Sequence, residues 1–553
     1  MSGARRALFL FVLLGAILLF CRASAQTALV YLDERCALSV NEPYARDERT
    51  YARDAVIPGI RGSQGIEYKK TRDVCYYLFP VSVTAGEEPR LYITLPADQG
   101  ITTAYLNGLP LSADAPVQID LSEQAELHVA TGSVRMLARL CFTNLPVLVV
   151  TTGKNISKKL LDGALTLYDP DFAAHGQAAF QADYEIKIAY RGKSALHYSQ
   201  KRPYKLSLYQ AGEKLDAPLI GLRKDSDWIL DSAFNDASRM RNRVCMDVWD
   251  DLCTLPWNYT LSGAIDGDYV ELFVNGKYKG LYALNEKQDR KQLGLKKADE
   301  NGTRSTLFKT TVTFSENNFS PAGFHTLGTK APGAADATRW YNVEITYPSS
   351  AYCTTLLWDR FYDFTAFVIE SGGEFADGIG DYVYLDNLAD YYLFNAAMNL
   401  TDNMRKNMVF ARYDAEDARF DRFFLVPWDM DASLGREYSS NKGNAGYIAA
   451  NKLFKRLLNE SEAFREIVYT RWQTLKGGAL SVDNIMAHFE RYYDEITCAG
   501  AAVREIEAHP KFTSYLKDAF SFNLNFEKEI AYIRTFMTKH LAMMDQQMEA
   551  YKP

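Results

Sequence analysis

The sequence predicts an α+β protein, with strands first and helices second. Two patterns carry that reading. Short apolar runs punctuated by Asn-Gly pairs dominate up to about residue 310. From about residue 355 the apolar residues recur at helical spacing instead. The composition agrees with a folded chain of this class, at 47% hydrophobic and 24% charged residues. A length of 553 residues suits roughly two to four domains.

The chain opens with a targeting segment. Arg5 and Arg6 precede an apolar stretch from Ala7 to Cys21, too short for a comfortable membrane span, and Ala23-Ser24-Ala25 supplies small residues at a cleavage point. Residues 1–25 are therefore expected to be a signal peptide. Lipidation at Cys21 is the rival, disfavoured by the bulk of Phe20. No later stretch is apolar enough to span a bilayer, so a secreted or cell-surface protein is expected. Cleavage removes three arginines and no acid, which makes a formal charge of −7 more negative still. That balance argues against a nucleic-acid partner held by backbone electrostatics. Seven cysteines would remain, an odd number with no C-x-x-C pair, which argues against a zinc site. Pairing of Cys36 with Cys75 is the one disulfide suggested.

Residues 26–143 read as a small β-sandwich. Leu91–Leu95 and Glu126–Ala130 look like strands, and Asn107-Gly108 looks like a hairpin turn. Residues 144–553 read as a second unit, β-rich over about 144–310 and helical over about 350–553. Its clearest hairpin runs from Tyr269 to Leu284 around Asn275-Gly276. Its clearest helix repeats Phe526, Ile530, Ile533, Met537, Leu541 and Met544 on one face. Leu388–Leu400 is another helix candidate.

Three segments carry chemistry. The first, Thr401 to Asn407, leaves a helix and enters a strand. An Asp followed five residues later by an Asn suits a phosphotransferase loop, where Asp402 would orient or deprotonate a hydroxyl and Asn407 would bind a divalent cation. Helix capping and turn chemistry use the same residue types. The second, Phe423 to Asp431, reads as a buried strand ending in Asp429 and Asp431, two acids on one face that would repel unless a cation joins them. An exposed turn before Gly435 is the alternative. In the third, Tyr190-Arg191-Gly192-Lys193-Ser194 and Lys201-Arg202-Pro203-Tyr204-Lys205 form a basic turn feeding a strand. It could hold phosphates or be a solvated hairpin. Its Gly-Lys-Ser is no P-loop, because Lys187 stands where the first Gly is needed.

Taken together, these blocks resemble the CotH (spore coat protein H) family. The basic block resembles its RGxS…KKSYK. Trp228-Ile229-Leu230 through Arg241-Asn242 resembles W-x-L…LRN. Val270 to Tyr282 with Glu286 resembles VELYLNGxYxGxY…E, Asp402 to Asn407 resembles D-x-x-x-K-N, and Pro427 to Asp431 with Gly435 resembles PWDxDxxxG. The match spans roughly residues 145–475. It implies an atypical protein-kinase-like domain of two lobes, with ATP and Mg²⁺ or Mn²⁺ between them. Carried over, Asp402 resembles the catalytic acid. Asn407 and Asp429 resemble the metal ligands, with Asp431 as helper. Lys201 resembles the phosphate-binding lysine, with Arg202 close beside it. Arg191, Arg241, Asn242 and Glu286 resemble residues that shape the cofactor site, and Glu286 is expected to pair with the lysine. Arg202, Pro203 and Asn403 depart from the family's usual residues.

The resemblance implies phosphate transfer to Ser or Thr of a protein. The alternative is a non-catalytic surface-assembly module that keeps the fold. A hydrolase built on a carboxylate pair fits less well, because the acids stand among bases and an Asn.

Overall fold

The structure, a computed structural model, describes strands between residues 31 and 131. From residue 135 it describes the chain to 553, apart from residues 193–195, 197–198, 299–303, 311–338, 341–342, 349–355, 438–441, 499 and 514–520. The expected signal peptide and the Cys36–Cys75 pairing lie outside the described residues. Cys245 and Cys253 are buried free thiols, Cys498 is an exposed one, and Cys141 is buried.

The chain up to residue 143 forms strands in two sheets. One joins Tyr31–Leu32, Arg90–Thr94 and Val117–Asp120. The other joins Ile66–Lys70, Cys75–Pro80, Arg135–Thr143, Ala125–Thr131, Ile101–Leu106 and Leu109–Pro110. Asn107 and Gly108 turn the last hairpin with φ of 50° and 78°. Most side chains that would decide whether these sheets pack face to face lie outside the described residues.

Seven strands then close into a barrel: β1 (Val147–Thr152), β2 (Leu161–Tyr168), β3 (Gln181–Tyr190), β4 (Tyr204–Gln210), β5 (Asp227–Asp231), β6 (Gly267–Val274) and β7 (Lys277–Glu286). The ring runs β1-β2-β3-β4-β5-β7-β6, and β6 returns to β1 as its one parallel pair, Val147 facing Glu271. Alternation dictates what fills it. Leu148 and Val150, Leu165 and Leu167, Ile186 and Ile188, Leu206 and Leu208, Trp228 and Leu230, Val270 and Leu272, and Tyr282 and Leu284 form the interior. The β6–β7 turn is the expected one, Asn275 and Gly276 at φ 50° and 69°.

The opposite face of β6 and β7 is buried too. Tyr269, Leu281 and Ala283 pack into the large helical core. That core contains α1 (Arg241–Leu252), α2 (Leu356–Glu370), α3 (Leu385–Ala397), α4 (Lys452–Glu460), α5 (Glu462–Leu475), α6 (Val482–Cys498), α7 (Ala501–Ala508) and α8 (Phe526–Met548). Helix α3 begins and ends three residues before its expected bounds. In α8, Ile530 is only half-buried, and the charged Glu529 takes a buried place beside it.

A second sheet cuts across the expected division into a β-rich and a helical half. Strands β8 (Thr306–Thr310), β9 (Val343–Tyr347), β10 (Val409–Arg412) and β11 (Phe423–Val426) run in the order β9-β8-β10-β11, all antiparallel. Asn387 of α3 bonds both the carbonyl and the amide of Leu425, which fixes β11 to the helices. Val409 faces Val426 and Lys309 faces Val409. This register gathers Lys309, the residues before β10 and the residues after β11 at one end of the sheet.

After β11 the chain crosses α8 before entering α4. The Gly446 amide donates to Nδ1 of buried His540, and Nε2 of His540 donates to the Ala396 carbonyl at 2.7 Å, which requires the neutral ring. Burial lowers the pKa of His540. With the folded pKa below the unfolded value of about 6.5, the unfolded chain binds the proton more readily. The contribution of His540 is complete above about pH 6.5 and is lost as pH falls through the lowered folded pKa. Denaturant midpoints measured against pH are expected to fall on the acid side, and less steeply in His540→Gln.

Candidate functional site

A cleft of about 730 Å³ lies between the barrel wall, the N-terminal end of α1 and the gathered end of the second sheet. Of the ten residues singled out in the sequence, Arg191, Asn242, Glu286, Asp402, Asn407, Asp429 and Asp431 line it. Lys201, Arg202 and Arg241 are not among the lining residues.

Asp402 sits on a turn of 3₁₀-helix, Asp402–Met404, that leaves α3. It is buried, and Lys406 holds its Oδ2 at 2.9 Å, while Oδ1 has no hydrogen-bond partner among the described residues. Burial raises its pKa against the opposing pull of Lys406. Asn407 donates from Nδ2 to Oδ2 of Asp429 at 3.3 Å. Both residues have φ of 60°, a left-handed backbone that Asn and Asp tolerate better than most side chains. The strand before Asp429 stops at Val426. The two acids therefore enter the cleft from a turn and do not share a strand face. Two neighbours lace the loops together: the Asn403 side chain donates to the Trp428 carbonyl at 2.8 Å, and the Tyr391 hydroxyl donates to the Asn403 carbonyl. Asn403, a departure from the family pattern, is thus a fully buried staple.

Arg241 and Asn242 open α1 and reach the same turn. Asn242 Oδ1 accepts the Met430 amide at 3.2 Å and Nδ2 donates to Asp231 Oδ2 at 3.0 Å. Arg241 is wholly buried. It bonds Asp236 at 2.6 Å, Glu529 at 2.7 Å and the Ser433 carbonyl at 2.9 Å. Its role is to anchor the wall from behind. Arg202, half-buried, donates to the Leu196 carbonyl.

The expected Lys201–Glu286 pair is not formed. Glu286 accepts from Arg223 Nε at 2.8 Å. Lys201 Nζ lies 3.0 Å from both oxygens of Glu505 on α7, donates to the Leu281 carbonyl and sits 4.6 Å over the Tyr282 ring. Arg239 shares Glu505 at 2.9 Å. The physical reason lies at Gly280, whose φ is 94°: a Cβ there would stand 2.2 Å from Glu505 Oε2. The bare glycine lets the Glu505 carboxylate reach the Leu281 amide at 2.9 Å and meet the lysine inside.

Sequence reasoning missed Asp231, Lys309, Trp428 and Lys406 as lining residues, and Glu505 as a partner. Asp231 was visible as an acid ending an apolar strand, Trp228 to Leu230. Nothing local marked Glu505, which lies 304 residues from Lys201. Among the described residues no three His, Cys, Asp or Glu side chains close into a ready-made metal cage. The cleft is nonetheless crowded with like charge. Burial first, then Asp429, Asp231, Asp236 and Asp402, raise the Asp431 pKa well above the carboxylate range.

The family model described as CotH kinase protein matches residues 188–544, more than half of the chain. The chain belongs to the CotH family. The inner spore coat protein H of Bacillus subtilis (strain 168) is 25% identical over 335 residues, which cover 59% of this chain and 81% of that protein. The CotH match starts at residue 188, later than the expected 145, and runs past the expected 475 to residue 544. It takes in α6, α7 and most of α8, and so both Glu505 and Glu529, which hold the cleft from behind.

The raised pKa of Asp431 has a consequence for stability. Its folded pKa lies above the unfolded one, so the folded chain is favoured while the group is protonated. That contribution is lost as pH rises from the ordinary carboxylate range through the raised value. In metal-free protein, Asp431→Asn is expected to raise the melting temperature at neutral pH. The gain should shrink toward acidic pH. A scanning-calorimetry series in chelator checks this, and a pH-independent change would contradict it.

Proposed function

We propose that this chain is a secreted, kinase-like protein. In this reading it binds ATP with Mg²⁺ or Mn²⁺ in the cleft and transfers phosphate to a Ser or Thr hydroxyl of a protein substrate. The barrel side would act as the smaller lobe and the helical side as the larger. The observation that carries the reading is the register of β10 and β11, which brings Asp402, Asn407, Asp429 and Asp431 to one wall.

The residues fit a divalent cation. Clustered carboxylates that raise one another's pKa are relieved by positive charge. Mg²⁺ takes one or two carboxylates and leaves its remaining positions to water and phosphate. Asp429 and the Asn407 carbonyl would hold it, with Asp431 beside them. When bound, the ion would supply the positive charge that offsets the phosphates. Asp402 suits the acceptor hydroxyl: Lys406 fixes Oδ2, and the unpartnered Oδ1 can accept the hydroxyl proton. Its raised pKa brings it nearer to the proton it would take.

A second reading draws on the coat-protein name of the Bacillus relative. It makes the chain a non-catalytic surface-assembly module on the same fold.

The two separate in a thermal-shift titration with ATP, with and without Mg²⁺ or Mn²⁺, because a ligand of the folded state raises the melting temperature by mass action. A metal-dependent shift is expected in the parent chain and none in Asp429→Asn. Asp402→Asn should keep the shift and lose phosphate transfer to protein substrates by roughly 10²–10⁴-fold. A folded parent chain with no shift in either metal would remove the kinase-like reading and leave the assembly module.

A further inference from the structure

The cations around the cleft are not equivalent. Lys406 is held by Asp402 at 2.9 Å, Arg436 by Glu529 at 2.5 Å and Arg243 by Asp247 at 3.1 Å. Lys309 sits 3.9 Å over the Trp428 ring. Lys201 lies behind the wall, with its side chain 1% exposed and its ammonium spent on Glu505 and the Leu281 carbonyl. A phosphate could reach that ammonium only if the Glu505 pair opened. Opening it would leave a buried carboxylate short of one partner.

Arg191 is placed differently. It follows β3, and its amide donates to the Pro203 carbonyl at 3.1 Å, which ties the turn to the start of β4. Its guanidinium lines the cleft 5.5 Å from the Trp428 ring centre, next to the turn that carries Asp429. Among the described residues it makes no ion pair. Asp231 and Asp429 act on it electrostatically, but burial outweighs them and lowers its pKa. A half-buried guanidinium on the cleft wall with no carboxylate in ion-pair contact among the described residues is poised for an anion. Its planar fork also matches two phosphate oxygens at once. Gly192 follows at φ 90° and lines the same wall, and it brings no side chain of its own to the approach.

We infer that Arg191 is the residue that receives the polyphosphate of the nucleotide, while Lys201 is a positioning residue that holds α7 to the barrel through Glu505. The inference rests on the nucleotide reading above and deepens it. The sequence pattern pointed to the lysine as the phosphate contact, and the geometry moves that contact to the arginine one turn earlier in the chain.

Isothermal titration of the full chain with ATP, AMP and inorganic tripolyphosphate, each with Mg²⁺, tests the division of labour. Arg191→Gln is expected to weaken ATP and tripolyphosphate by roughly ten-fold or more, the scale of a lost charge-assisted hydrogen bond, and to change AMP by less than about two-fold. A merely structural role would weaken AMP and ATP together. Lys201→Met leaves Glu505 neutralised by Arg239, so it should remain folded by circular dichroism. It should lower the melting temperature and keep the parent's preference for ATP over AMP. Arg191→Gln that binds ATP like the parent would overturn the inference alone, as would a folded Lys201→Met that no longer prefers ATP. A parent chain that binds neither ATP nor tripolyphosphate would overturn the nucleotide reading and the inference with it.

Discussion

The wholly buried guanidinium of Arg241 joins three parts of the chain that local folding would leave apart. It meets Asp236 before α1, the Ser433 carbonyl after the acidic turn and Glu529 on α8. Glu529 in turn grips Arg436 through both of its oxygens. Removing one member of such a buried set leaves an uncompensated charge and costs about 3–5 kcal/mol, whereas the complete set contributes little net stability. The cluster therefore acts mainly by specifying geometry. It fixes where the turn bearing Asp429 and Asp431 stands relative to α1, and Asn242 adds a bond to that turn from the next position.

A second buried set does the same for the barrel. Arg504 pairs with Glu271 at 2.7 Å and Glu505 with Lys201 and Arg239, so two adjacent residues of α7 clamp the outer wall of β6 and β7. The clamp needs Gly280 bare. It also explains why the helices after residue 478 belong with the rest of the family unit. They supply the counter-charges that let basic residues of the barrel and α1 sit out of water. Between the two clamps the second sheet carries the loops inward, and the cleft forms where rigid elements converge.

Much of this was legible locally. The Asn275-Gly276 turn, the period of α8 and the acids of the two cleft loops all follow from short-range rules, and each stands close to where those rules place it. Legibility stops where a contact spans hundreds of residues. Asp429 and Asp431 looked like two acids on a continuing strand, but the strand ends at Val426 and Asp429 takes a left-handed backbone. Lys201 looked like a residue facing the cleft, since a basic run before a strand has no sign of its own to say which cation points inward. Glu529 is absent from the apolar repeat that marks α8, and its distant partners Arg241 and Arg436 account for its burial.

By itself, the sequence determined the α+β character, the hairpins and the helical faces, because these depend on backbone propensity and on periods of two and 3.6 residues, and it marked the acids of the two cleft loops. The tertiary structure alone decided that seven strands close into a barrel through the parallel pairing of β1 with β6. It alone decided that β8 joins strands from beyond α3, and that the lysine faces Glu505 while Arg191 faces the cleft. Those outcomes turn on which distant carboxylate can reach which cation once the chain is packed. Burial makes that pairing obligatory, and no local pattern encodes it.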